Sequence, residues 1–212
     1  KFDGIDYNIF NLDISGENNV GLFGKTNGAT INNVTLVGGS ITGTGSNVGA
    51  IVGNANNTTL TNVVNSAAVS GNNNVGGIVG SAYDSAIKDV INTGTINGSG
   101  DNVGGLIGNL QNSKLDTTKE VEKGLIGNSY NLGDVSGNGH NVGGLVGSAS
   151  NSTIGDGTNL VYNRMDVTGA YNVGGIVGNM TESTVQNAEN SGGGRTFGSR
   201  KSSGWDDAFR TG

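Results

Sequence analysis

The chain of 212 residues contains no cysteine and no proline, and it has a single histidine and a single tryptophan. Without cysteine there is no disulfide framework and no thiolate metal site. With His140 alone, neither a His-Glu-x-x-His centre nor a credible Ser-His-Asp set can be assembled. The absence of proline suits a chain in which nearly every segment joins a β-ladder, because proline cannot donate there. Charged residues make up only 13%, about half the usual share. No run approaches the roughly 20 apolar residues of a membrane span, so no membrane insertion is expected. A net charge of −6 and a pI near 4.6 count against nucleic acid and anionic membranes as partners.

What the chain does have is glycine, 41 residues of it, beside 33% hydrophobic residues. The heptapeptide "NVGGIVG" at 74–80 recurs closely at 102–108, 141–147 and 172–178. Anchored on the Val of "NVG", six copies fall at Val20, Val48, Val75, Val103, Val142 and Val173, spaced 28, 27, 28, 39 and 31 residues apart. An aliphatic-x-Gly precedes each copy, as in "VSG" at 69–71, and an aliphatic follows at Ile31, Leu60, Ile87, Leu115, Ile154 and Val185. A common period with companion columns marks an internal repeat, not a solitary ligand loop. No helical run follows any copy, which argues further against a phosphate cradle.

Within a unit, "VGGIVG", "IKDVIN" and "GTING" each alternate with period two and are separated by Gly, Asn, Ser and Asp. This is the signature of short strands and turns. The predicted fold is all-β: a parallel β-helix (β-solenoid) of about six rungs of 27–28 residues, three short strands per rung. Crossover chirality favours a right-handed coil. The solenoid is expected over 1–190, and the Gly/Ser-rich segment 191–212 reads as a tail, a linker or an artificially appended piece. The chain opens at Lys1 without a signal-peptide pattern, as a mature or excised fragment would.

Three groups of residues stand out. Asn65, Asn92, Asn131, Asn163 and Asn190 share a column once two insertions are allowed, and are expected to stack inward as an amide ladder. Ile51, Ile78, Leu106, Leu145 and Ile176 form an apolar stripe that either packs inside or serves as a contact surface. The longer insertion, 116–127, concentrates Lys119, Glu120, Glu122 and Lys123 and is the expected partner-contact loop. Both insertions fall at one point of the repeat, predicted to be an outward corner.

Other chemical motifs weaken on comparison between copies. "GSGDN" at 98–102 lacks the tandem Asp period of Ca²⁺-binding repeats, and its equivalents read "GTGSN" and "GNGHN". Asp84, Asp89, Asp116, Glu120 and Glu122 face Asn, Thr or Ser in neighbouring copies, so no acidic cleft is evident. No catalytic residue, metal site or cofactor is expected.

The opening "FDGIDYNIFNLDIS" (2–15), followed by "NVGLFG" (19–24) and "ATINNVTLVG" (29–38), resembles the GLUG repeat family, named for its Gly-Leu-any-Gly core. Gly21, Leu22, Phe23 and Gly24 match that core, and "GGIVG" and "GGLVG" are its later variants. The resemblance covers roughly residues 2–190 and departs at 116–127 and 191–212. It implies a large bacterial surface or secreted protein. Similar repeats occur in filamentous-haemagglutinin-like adhesins and in non-catalytic parts of Gram-positive immunoglobulin A peptidases. The expected role is a non-catalytic stalk or adhesive segment, extracellular, with a surface protein or glycan of a host or neighbouring cell as partner beside other domains of its own polypeptide. The alternative is an accessory domain of a secreted peptidase or glycan-active enzyme; a third class is direct action on polysaccharide.

Overall fold

The structure, a computed structural model, describes residues 1–5, 7–117, 129–155, 158–192 and 194–196. Among them there is no helix, and all strand pairings are parallel. The chain winds through about six stacked turns, a β-solenoid, each turn presenting three sides. One turn shows the plan. Ala68–Gly71 and Asn73–Gly76 form the first side, Val79–Tyr83 the second, and Ala86–Asn92 the third. The second sides make a six-stranded sheet, from Phe23–Asn27 through Val52–Asn56, Val79–Tyr83, Ile107–Gln111 and Val146–Ser150 to Val177–Thr181. The other two sides share one 19-stranded sheet, because strands such as Thr30–Gly43 pass from third side to first without a break.

Register follows the repeat. Val79 pairs with Val52 on one neighbour and Ile107 on the other. Ile96 likewise pairs with Val69 and Val135. Each aliphatic column therefore stacks on itself. Val69, Ile96, Leu60, Ile87, Leu115 and Ile154 are all fully buried. A buried aliphatic of this size contributes roughly 1.5–3 kcal/mol, so a continuous core can hold a chain this rich in glycine.

Two details depart from the expectation of one strand per run. "NVGGIVG" is not a single strand: Asn73–Gly76 closes the first side, Gly77 and Ile78 turn the bend, and Val79–Tyr83 opens the second. The bend brings Val75, Ile78 and Val79 all inward, which a straight strand could not do. The third side is also bent. Ile87 and Val90 both face the core although three residues separate them, because Asp89 takes a left-handed conformation (φ 52°) and drops out of the pairing. Asn33 (φ 55°) and Asn62 (φ 56°) do the same in earlier turns.

The longer insertion falls at this left-handed column. Lys88 pairs with Asp116, and pairing resumes at Ile91 with Tyr130. Asp116 and Thr117 are buried within the coil (4% and 0% exposed), so the insertion begins after Thr117, not at 116. At the other end, Gly194–Thr196 pairs with Val167–Gly169, and the ladder runs past Asn190, where the sequence suggests its end. The core residues that remain partly exposed belong to the outermost turns: Ile9, Leu12, Ile14, Leu22 and Phe23 at the start, Ile176, Val177, Val185 and Ala188 at the finish.

Candidate functional site

The inward Asn column is a continuous hydrogen-bonded ladder. Asn65 Nδ2 donates to Asn92 Oδ1 at 2.9 Å, Asn92 to Asn131 at 2.8 Å, Asn131 to Asn163 at 2.9 Å and Asn163 to Asn190 at 2.9 Å. The second N–H of each amide closes a turn in its own coil, onto Ala67, Gly94, Gly133, Met165 and Gly192 respectively. Four of the five side chains are fully buried, and every donor is used, as a buried amide requires. Room for the amides comes from the first bend. A Cβ at Gly105 would lie 2.1 Å from the Gly144 carbonyl oxygen and 2.5 Å from Asn131 Cγ. In the first coil Leu36 occupies this column, paired with Asn65.

The apolar stripe is interior. Ile51, Ile78, Leu106 and Leu145 are fully buried at the first bend, and Ile176 is half-buried only because its turn is the last. As a contact surface the stripe is therefore excluded: the bend at Gly77 and its equivalents swings these side chains into the coil. Lys119, Glu120, Glu122 and Lys123 of the proposed contact loop lie outside the described residues.

A second amide ladder escaped the sequence reading. Asn19, Asn47, Asn74, Asn102, Asn141 and Asn172 are all left-handed, with φ between 50° and 63°. Asn47 Nδ2 donates to Asn19 Oδ1 at 3.0 Å, and Asn74, Asn102, Asn141 and Asn172 each donate to the preceding member at 2.8–2.9 Å. Asn tolerates this backbone better than other non-glycine residues. The signal was the same residue before the anchor Val in all six copies.

The second bend, between second and third sides, carries a hydroxyl ladder. Thr58, Ser85, Ser113 and Ser152 each donate a backbone N–H to the hydroxyl of the next turn at 2.9–3.1 Å. Each hydroxyl donates in turn to the carbonyl two residues before it, at 2.6–2.8 Å. The residue preceding each hydroxyl is left-handed and exposed: Asn57, Asp84, Asn112 and Asn151 (φ 45–48°). These four line an open groove of about 470 Å³ that crosses four turns. Lys114 also borders it, with its Nζ 2.8 Å from the buried carboxylate of Asp116. Tyr83, 41% exposed, precedes Asp84 in the chain and does not line the groove. The floor is saturated by its own ladder, while the lips offer amide and carboxylate groups to solvent. This groove is one concave site among the described residues; a smaller one, of about 220 Å³, lies on the first side among Ser70, Asn97 and Ser136.

Single residues of interest fall elsewhere. His140 sits exposed in its turn slot, its ring stacked 4.6 Å from that of Tyr171 and its backbone N–H donating to Asp101 Oδ1 at 2.7 Å. Among the described residues, no three His, Asp or Glu side chains gather as metal ligands would. Gly24-Lys25-Thr26 has the ending of a phosphate-binding loop, but it lies in strand Phe23–Asn27, and Thr26 shares a hydrogen bond with Thr58 at 2.9 Å. The next element is the strand Thr30–Gly43, with no helix to meet a phosphate. Tyr130 and Tyr162 stack at 4.8 Å and 4°, with the Arg164 guanidinium 4.7 Å over Tyr162.

Residues 71–97 match the model of the GLUG motif. The match spans one full turn, from the end of one first side to the start of the next. No curated protein and no solved structure matches the chain.

Proposed function

We propose that the chain is a non-catalytic stalk and adhesive segment of a large bacterial surface or secreted protein, holding a partner outside the cell through its outward faces. The observation that carries this reading is the division of labour across the coil. Interior and bend polar groups are consumed by three ladders along the axis, leaving outward columns such as Thr42, Ser70, Asn97, Ser136 and Thr168 as a repetitive polar surface. Such a surface gains strength by repetition of weak contacts. The GLUG motif at 71–97 supports a repeat domain.

The test is retention of the immobilised chain by intact cells and by a panel of surface proteins and glycans. Retention without chemical change to the bound material supports adhesion. Hydrolysis or elimination of a glycan or peptide by the purified chain, or no retention at all, sinks it.

A further inference from the structure

We infer that the groove at the second bend binds a neutral, linear, β-linked glycan lying along the coil axis. This deepens the adhesive reading and rests on it. Asn57, Asp84, Asn112 and Asn151 stand one turn apart, so at the spacing of parallel strands the lip spans about 14 Å. A β-1,4-linked pyranoside chain advances by about one strand spacing per ring, with alternate rings turned over. Each sugar thus meets one lip residue, and every second sugar presents the same edge, so the repeat of the ligand fits two turns of the protein.

The chemistry of the lining narrows the class. Of the eleven lining residues only Ala86 is apolar, which disfavours a lipid or a hydrophobic peptide. The backbone donors of the floor are spent on Ser85, Ser113 and Ser152, so an added peptide strand would find no ladder to join. Polyanions meet the exposed Asp84 carboxylate, and the Lys114 ammonium is engaged with Asp116. Asn amides each present a donor and an acceptor, the pairing that vicinal hydroxyls use.

The experiment titrates the full chain with cello- and chito-oligosaccharides of increasing length, by calorimetry and by amide chemical shifts. Affinity is expected to rise with each added ring and to level off once the ligand covers four turns, with shifts confined to the second bend. Asp84→Gly with Asn112→Gly removes two lip side chains while keeping a residue at ease with positive φ. This pair should weaken binding roughly tenfold or more, about 1.4 kcal/mol. Glu17→Gln, exposed and not lining the groove, should leave affinity unchanged. The inference falls if no neutral linear glycan binds, or if binding ignores the lip variants. Cell retention that survives the lip variants overturns the groove assignment alone; loss of all retention by the unaltered chain overturns the adhesive reading as well.

Discussion

Asn92 donates its side-chain amide to Asn131 at 2.8 Å although 39 residues separate the two, and the next bond, from Asn131 to Asn163, spans 32. The ladder keeps its geometry because Tyr130 and Asn131 resume the register of Ile91 and Asn92. Removing Asn131 strands Asn92 Nδ2 and both peptide groups of Gly133 in the interior and leaves Asn163 Oδ1 only the long bond from Met165 N–H at 3.4 Å. Each such orphan costs about 1–3 kcal/mol, so Asn131→Ala should lower unfolding stability by about 3 kcal/mol or more. Asn65→Leu, beside Leu36, breaks the ladder at its end and should cost less. Urea melts of both variants give the comparison; equal losses would contradict the ladder account.

The solenoid and its period were legible because stacking demands repetition, and Val20 through Val173 carry it openly. The inward Asn column was legible for the same reason. The bends were not. A single left-handed residue, Asp89 in one turn and Asn62 in another, shifts which residues face inward, and two-residue periodicity cannot register that. Ile78 was ambiguous because the bend at Gly77 and Ile78 breaks the alternation between Asn73–Gly76 and Val79–Tyr83. The groove was hidden for a related reason. Asn57, Asn112 and Asn151 are alike but Asp84 breaks the column, and their shared left-handed conformation is not written in the period-two pattern.

The outward amide ladder predicts an inverted order of substitutions at Asn102 (φ 62°). Asn102→Gly loses the bonds to Asn74 and Asn141 but accepts the conformation. Asn102→Ala loses the same bonds and adds the left-handed penalty, roughly 1–2 kcal/mol. Thermal melts should therefore rank wild type above Gly and Gly above Ala. Elsewhere in a strand, glycine is the worse residue.

The interval from Val103 to Val142 exceeds the preceding one by the length of segment 118–128. Joining Thr117 to Ser129 restores the common period, since Thr117 already bonds Asp89 at 3.0 Å and Ser129 already reaches Val90 N–H at 3.2 Å. The shortened chain should keep its β circular dichroism and melt within a few degrees of the parent. If Lys119, Glu120, Glu122 and Lys123 mediate contact, cell retention falls while the glycan affinity of the groove stays. Failure of the shortened chain to fold would contradict the exit point at the left-handed column.

Tyr130 and Tyr162 make stability sensitive to alkali. Burial of the two stacked rings pushes both phenols above their ordinary value of 10.0, with Arg164 pulling the other way. The folded chain thus favours neutral rings, while the unfolded chain ionises at the ordinary value. Above it the unfolded state holds fewer protons, so stability falls as pH rises. The contribution is complete below pH 10.0 and is lost as pH climbs from there through the raised folded values. Melting temperature should drop more steeply above that point in the parent than in Tyr130→Phe with Tyr162→Phe. Tyrosinate absorbance should show a late-ionising phase from Tyr130 and Tyr162, and that phase should vanish in the double variant. Parallel alkaline slopes for the two proteins would mean that the stacked pair is not the source.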